Sequence, residues 1–479
     1  MPTRPAEAAE AYLHAATGAD HRERVELQRR GAEQFLIGGH IDRGLDLIRA
    51  MLAGMGVRMS RSPRGALLSL LWQRARLRWR GLRFVSRQAD EIDAETLLRV
   101  DTCWSATTGL LLVDVSGAAD LSVRHLLMAL DTGDPFRVAR AMAIESAVRT
   151  ADLSGGSLGE QLAVQSSALA GSIGNPHAIA LSLLADGMRA MAAGEWKKAS
   201  VVSEQALAML RDKRAGFSWE MNIAQNLVIW GLMYQGELRE LCRQVPSLLA
   251  DARRRGNLYI ATELCTRSNY AWLAADDADG GERETVESIN RWSQKGFHRQ
   301  HYSASLARVQ TALYRGDAES AWRLLIEQES SLHRSLLLNR IQVLRIEAHY
   351  LRSRCALAMA AKGRHARRFL SVARAGARRI ESQGRPWADP IALLLRAAIA
   401  HREGSTPLAV RHLHAAVEGF DRADMNLYAA VTRLRIGALQ DDAAGRALQR
   451  QAEEWMAAQH IKNPAAMTRM LAPGFPDLP

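Results

Sequence analysis

Residues 179–210 read IALSLLADGMRAMAAGEWKKASVVSEQALAML, two amphipathic segments joined at Gly194. Apolar residues recur in each segment at the three- and four-residue spacing of a helix with one buried face. Glycine at the junction favours a tight turn, because it adopts the left-handed backbone conformation without a Cβ clash. The stretch therefore predicts two antiparallel helices joined by a short turn.

Glycines divide residues 178–420 in the same way, at intervals of about 40 residues. One series is predicted to end the first helix of each pair: Gly194, Gly236, Gly281, Gly316, Gly363 and Gly404. A second series is predicted to end the partner helices: Gly216, Gly256, Gly296 and Gly384. A period of this size is typical of helix pairs stacked into a solenoid, each burying its apolar face against its neighbours.

Small residues recur around these turns. They follow a 7-5-7 spacing at Gly187, Gly194, Ala199 and Ala206, and again at Ala397, Gly404, Ala409 and Ala416. A third copy begins at Ala32. The spacing resembles the tetratricopeptide signature, although the period is longer. We expect an all-α right-handed superhelix of tetratricopeptide-like antiparallel helix pairs. Its parts would be an irregular helical-repeat region (1–177), the helix-pair repeats (178–420), and capping helices with an irregular tail (421–479).

Composition agrees with a globular helical chain. Of the 479 residues, 48% are hydrophobic and 24% charged, which excludes a disordered protein. No apolar run approaches the roughly 20 residues of a membrane helix, and the N-terminus lacks the apolar region of a secretory signal. The net charge of +12 comes from arginines dispersed along the whole chain. We therefore expect mostly solvated basic faces and a cytoplasmic location, with binding to nucleic acid or a membrane surface as the alternative.

One basic segment stands apart, LLWQRARLRWRGLRF at residues 70–84. Residues 47–89 contain ten arginines and no acidic residue. Helical spacing places six apolar residues on one stripe: Leu68, Leu71, Trp72, Ala75, Trp79 and Leu82. The pattern predicts an inner solenoid helix over 64–87 whose stripe faces its neighbours, with Leu70 and Leu77 on the opposite side.

Arginines border that stripe. Four of them, on one flank, are the candidate partner-binding residues: Arg76, Arg80, Arg83 and Arg87. They could dock an acidic protein or peptide. The alternative that the sequence favours is a solvated flank whose stems cover apolar surface. Nucleic acid or lipid is a third alternative, although no aromatic stacking platform accompanies the arginines.

Motifs for catalysis are missing. The sequence contains no GxxxxGK[ST] or GxGxxG phosphate loop, no protein-kinase motif set and no GxSxG elbow, so we expect no enzyme and no cofactor. DDADGGERETVE from Asp276 does not align with a calcium loop. His298 and His301 lack a third ligand and predict exposed imidazoles at a helix start. The cysteines, Cys103, Cys242, Cys265 and Cys355, form no CxxC and predict small buried hydrophobic residues.

Longer stretches carry a family resemblance. They are GAEQFLIGGHIDRGLDLIRAMLAGMGVRM (31–59), LLWQRARLRWRGLRF (70–84), LLRVDTCWSATTGLLLVD (97–114), NRWSQKGFHRQHY (290–302), GRPWADP (384–390) and HIKNPAAMTRMLAPGF (460–475). They resemble the C-terminal helical region of large bacterial serine/threonine protein kinases. In that family a kinase domain and a P-loop ATPase-like module precede a tetratricopeptide-like tail. The resemblance implies a non-catalytic tail that senses a signal or binds a protein partner, for which a kinase–ATPase polypeptide is the candidate. No kinase residue can be transferred to this chain.

Overall fold

The computed structural model describes residues 5–57, 59–60, 63–111, 114–151, 156–211, 218–335, 338, 341–363, 365–440, 442–476 and 478. Within these residues the chain forms 24 α-helices and no strand, which confirms the all-α class. A short 3₁₀ turn, Ala89–Glu91, is the remaining regular element of the described chain.

The helices follow one another with short connections. The first eight are α1 Pro5–Ala16, α2 His21–Ile37, α3 Ile41–Gly54, α4 Pro63–Arg80, α5 Ala94–Leu110, α6 Val115–Thr132, α7 Pro135–Ala151 and α8 Gly156–Ile173. The next nine are α9 Pro176–Ala193, α10 Trp196–Arg211, α11 Ser218–Gln235, α12 Leu238–Arg254, α13 Leu258–Arg267, α14 Tyr270–Ala274, α15 Ala278–Arg291, α16 Arg299–Tyr314 and α17 Ala318–Ser335. The last seven are α18 Gln342–Ala361, α19 Ala366–Glu381, α20 Asp389–Arg402, α21 Thr406–Arg422, α22 Asn426–Leu439, α23 Ala443–Ala458 and α24 Pro464–Leu471.

Neighbouring helices pack in pairs along the whole chain, as expected of an α-α solenoid. Helix α10 packs on both α9 and α11, α18 on α19, α20 on α21, and α22 on α23. Helices α7 and α9 also pack together, so the stack continues across residue 177. The predicted close approach occurs at Gly187, where an added Cβ would lie 2.6 Å from Ser203 Oγ. Glycine is needed there because the facing helix leaves no room for a side chain.

Most of the predicted turn glycines have the left-handed backbone. Gly194, Gly236, Gly316, Gly363 and Gly404 have φ angles between 79° and 84°. Gly281 is the exception, because it lies inside α15. The turn before α15 is made instead by Asp276 at φ 57°, and Asp277 then caps the helix by accepting a bond from Gly280 N at 2.9 Å. The predicted turn at Gly216 lies outside the described residues.

The superhelix closes on itself, so turns of early repeats touch helices far along the chain. An added Cβ at Gly194 would lie 2.3 Å from Trp387 Cδ1, and one at Gly236 would lie 2.7 Å from Leu427. Near the C-terminus, Arg354 of α18 and Arg435 of α22 donate to the carbonyls of Met470 and Ala472 at 3.1 and 3.0 Å. These two buried arginines hold the C-terminal segment against both helices.

Helix α4 is shorter than the sequence pattern predicts. It ends at Arg80, because Gly81 adopts a φ of 75°. Residues 81–88 then run without helical structure, and Arg87 N donates to Gly133 O at 3.1 Å. Arg83 and Arg87 consequently lie beyond the helix and not along its flank.

Candidate functional site

Helix α4 buries the side opposite to the one expected. Its buried residues are Ala66, Leu70, Gln73 and Leu77, and it packs chiefly on α6. The expected inner stripe is instead on the surface: Leu68 is 70% exposed, Trp72 65% and Trp79 92%. The prediction that this stripe faces the neighbouring helices is therefore wrong.

Polar contacts with α6 explain the reversed orientation. Ser69 Oγ donates to Asp120 at 2.6 Å, and Arg80 Nε donates to Asp131 at 2.8 Å. Ser69 and Arg80 lie about three turns apart on α4, and their partners Asp120 and Asp131 lie the same distance apart on α6. The two contacts therefore fix α4 and α6 in a parallel register. Burying Leu70 and Leu77 brings these polar partners together, whereas the other orientation would lose both contacts and leave Asp120 with only its pair to Arg124 on the same helix. The equal spacing of the two residue pairs is visible in the sequence, but it predicts a contact only once α4 is known to pack on α6.

The exposed side of α4 forms a continuous apolar surface, here named the α4 ridge. It consists of Leu68, Leu71, Trp72, Ala75 and Trp79. These positions repeat at three- and four-residue intervals, so they form one line over three helical turns. Fully exposed tryptophan and leucine side chains in a row are uncommon on a soluble surface and mark interaction sites.

Exposed arginines border the α4 ridge on both sides. Arg64 and Arg78 lie on one side and Arg76 on the other, while Arg83 follows in the segment after the helix. Within the described chain, the side chains of Arg64, Arg78 and Arg83 have no carboxylate partner. Residues 47–89 contain no acidic residue that could pair with them locally. The ridge therefore combines apolar area with uncompensated positive charge.

The four candidate arginines have different environments. Arg76 lies beside the ridge and donates to Gln73 Oε1 at 3.1 Å. Arg80 is turned towards α6 and also donates to the carbonyls of Gly81 and Arg83, so it has a structural role in ending the helix. Arg83 and Arg87 are exposed in the segment after the helix. Arg64 and Arg78, which were not among the candidates, are closer to the ridge by helical position.

A second feature is a cavity of about 180 Å³ on the superhelix axis. Its wall is formed by residues from α6, α7, α9, α11, α13, α16 and α18, together with Leu111 and Ile341. Sequence reasoning did not detect it, because its lining residues are distributed over more than 230 positions and each resembles an ordinary core residue.

Polar side chains at the edge of the cavity bind one another. Arg299 donates to Glu263 at 2.7 Å and to Tyr259 Oη at 2.9 Å, and Asn226 donates to the same hydroxyl at 3.0 Å. Trp230 Nε1 donates to Glu263 at 3.1 Å. Burial lowers the pKa of Arg299, but the charge and hydrogen bond of Glu263, together with Tyr259, outweigh burial and leave the pKa raised. The guanidinium is thus a permanently charged part of the wall.

The other chemically suggestive residues are structural. Cys103 is buried, and burial raises the pKa of its thiol to about 12, which makes it a poor nucleophile. His298 and His301 begin α16 as predicted, but His298 is buried, not exposed, and accepts from Trp292 Nε1 at 3.0 Å. Burial lowers the pKa of His301 to about 4. No cluster of three metal-ligating side chains exists among the described residues.

Comparison with known proteins does not assign this chain to a family. The chain matches no protein-family model, and no curated protein matches it either. Among the helices that the structure describes, none has both the length and the apolar character needed to cross a membrane.

Proposed function

We propose that this chain is a non-catalytic helical-repeat module that binds a protein partner through the α4 ridge. The observation that carries the proposal is the exposure of Trp72 and Trp79 in line with Leu68 and Leu71 on a helix whose other side is buried. Tryptophan and arginine are the residues most enriched where protein partners bind tightly. The four cysteines are free, in keeping with a cytoplasmic location.

The chemistry of the α4 ridge favours an acidic amphipathic helix as the occupant. The apolar line repeats with the spacing of a helix–helix contact, so a partner helix could add its own apolar stripe to the stack. Arg64 and Arg78 on one side and Arg76 on the other would then face carboxylates of that helix. A nucleic acid would use the same charge but does not require the helical spacing of the apolar residues. A membrane surface would accept both the charge and the apolar line, and the vesicle probe described below distinguishes it from a protein partner.

The resemblance to kinase tails supplies a candidate source for such a helix. A kinase–ATPase polypeptide, either attached or separate, would carry the acidic segment, and binding would regulate its activity. This assignment rests on the quoted sequence stretches and not on the geometry of α4.

A peptide titration tests the proposal. We expect an amphipathic helical peptide of the length of α4, with leucine on one face and glutamate on both flanks, to bind the wild-type chain. The same peptide with lysine flanks should bind much more weakly, and added salt should weaken the acidic peptide's affinity. Changing Trp72 and Trp79 together to alanine should reduce affinity by at least about 30-fold, because each is a central apolar contact.

A matched control is available at Val164, which is 62% exposed but lies on α8, away from the ridge. Val164→Ala should leave the affinity unchanged. Vesicles of phosphatidylcholine and phosphatidylserine and a single-stranded DNA serve as competing probes. If the acidic and basic peptides bind equally, or if only vesicles or DNA bind through Trp72 and Trp79, the proposal of an acidic helical partner is wrong.

A further inference from the structure

The cavity on the superhelix axis is lined almost entirely by apolar side chains. Helix α9 contributes Met188 and Met191, and α11 contributes Ile223, Leu227 and Trp230. Methionine side chains adapt to different shapes and make favourable contacts with aromatic rings. Trp230 adds a flat aromatic wall, so the cavity offers the surfaces that an apolar molecule with a ring would contact.

The polar groups at the wall are engaged with one another. Tyr259 Oη accepts from Asn226 and Arg299, and Arg299 is paired with Glu263. Gln342 donates to Gln383 O at 2.9 Å and accepts from Arg385 Nε at 2.6 Å. A charged ligand would have to break one of these contacts in a buried setting, which is costly. The wall therefore selects for a neutral molecule.

A smaller void of about 30 Å³ adjoins the cavity. Both are lined by Leu111, Met188 and Ile223, so these side chains border the two spaces. Trp104 and Trp219 line the smaller void. A movement of the flexible Met188 side chain would join the two spaces and lengthen the site along the axis.

We infer that this cavity is a binding site for a neutral, apolar small molecule about the size of one aromatic ring. The volume of about 180 Å³ supports this size, because an engineered apolar cavity of about 150 Å³ in another protein binds benzene. Filling the space restores dispersion contacts that an empty cavity lacks. The inference is independent of the α4 ridge, which uses other residues on the outer surface.

Ligand-observed fluorine NMR with the full chain tests the inference. We expect (trifluoromethyl)benzene to show line broadening with the wild-type chain and to raise its unfolding temperature in proportion to the logarithm of concentration at saturation. The charged analogue 4-fluorobenzoate should show neither effect. Ala192→Leu places three added carbons in the cavity and should weaken binding of (trifluoromethyl)benzene at least tenfold.

A second variant keeps the test decisive if Ala192→Leu fails to fold. Met188→Ala should join the cavity to the smaller void and extend binding to the bulkier 1-(trifluoromethyl)naphthalene, which the wild-type chain should bind more weakly. Val164→Leu, on the outer surface of α8, is the matched control and should bind like wild type. Absence of (trifluoromethyl)benzene binding to the wild-type chain, equal binding of the benzoate, or no change in ligand preference on Met188→Ala would overturn the inference.

Discussion

Glu347→Ala is expected to lower the free energy of unfolding by about 3–5 kcal/mol, because it leaves a buried guanidinium without its counter-charge. Arg267 donates to both oxygens of Glu347, at 2.6 and 2.7 Å, and its side chain is fully buried. Tyr234 Oη donates to the same carboxylate at 2.8 Å. Burial lowers the pKa of Arg267, but Glu347 outweighs burial and raises it. Urea unfolding followed by circular dichroism measures the loss.

Two variants separate this effect from ordinary truncation. Glu287→Ala removes an exposed pair with Arg291 and should cost less than about 1 kcal/mol. The double change Arg267→Met and Glu347→Leu replaces the buried pair by apolar side chains and should recover much of the stability. Equal losses for Glu347→Ala and Glu287→Ala would show that Arg267 is not buried beside Glu347 as described.

Gly194→Ala should destabilise the chain more than Gly404→Ala, although both glycines have a φ of 84°. The left-handed conformation alone costs alanine about 1–2 kcal/mol at either site. At Gly194 the new Cβ would also clash with Trp387, which is 3% exposed and packs edge-on against Trp196. Displacing that buried ring adds about 1–3 kcal/mol. The difference in urea midpoint between the two variants measures the contact between the turn at Gly194 and Trp387.

Gly404 is the matched control because nothing lies within 4 Å of an added Cβ there. Both variants force alanine into the same left-handed conformation, so the difference between their losses of stability reports only on the clash with Trp387. Indistinguishable midpoints would mean that the turn after α9 does not touch the start of α20, and that the superhelix is more open than described.

Local patterns predicted the helix pairs well because they depend on residues close in sequence. A glycine that ends a helix, such as Gly194, is recognisable from the apolar periodicity on either side of it. Gly281 misled the same reasoning because aspartate can also adopt the left-handed conformation, and Asp276 makes that turn. Turn position was therefore predictable to within a few residues, whereas the residue forming the turn was not.

The orientation of α4 was not predictable because the helix is apolar on two sides. Its longer stripe has the larger apolar residues, and periodicity alone assigns that stripe to the core. The structure buries Leu70 and Leu77 because Ser69 and Arg80 then meet carboxylates of α6. The cavity could not be predicted from the sequence either. Its wall depends on contacts such as that of Tyr259 with Arg299, which join separate helices that come together only in the folded chain.

The orientation of α4 is the claim on which the proposed partner surface depends, and a comparison of Leu77→Ala with Trp79→Ala in urea unfolding tests it most directly. Leu77 is 1% exposed and Trp79 is 92% exposed. We expect Leu77→Ala to cost about 2–5 kcal/mol, as for a buried leucine, and Trp79→Ala to change stability by less than about 0.5 kcal/mol. The reverse order, with Trp79→Ala the more damaging change, would place the tryptophan in the core and contradict the existence of the α4 ridge.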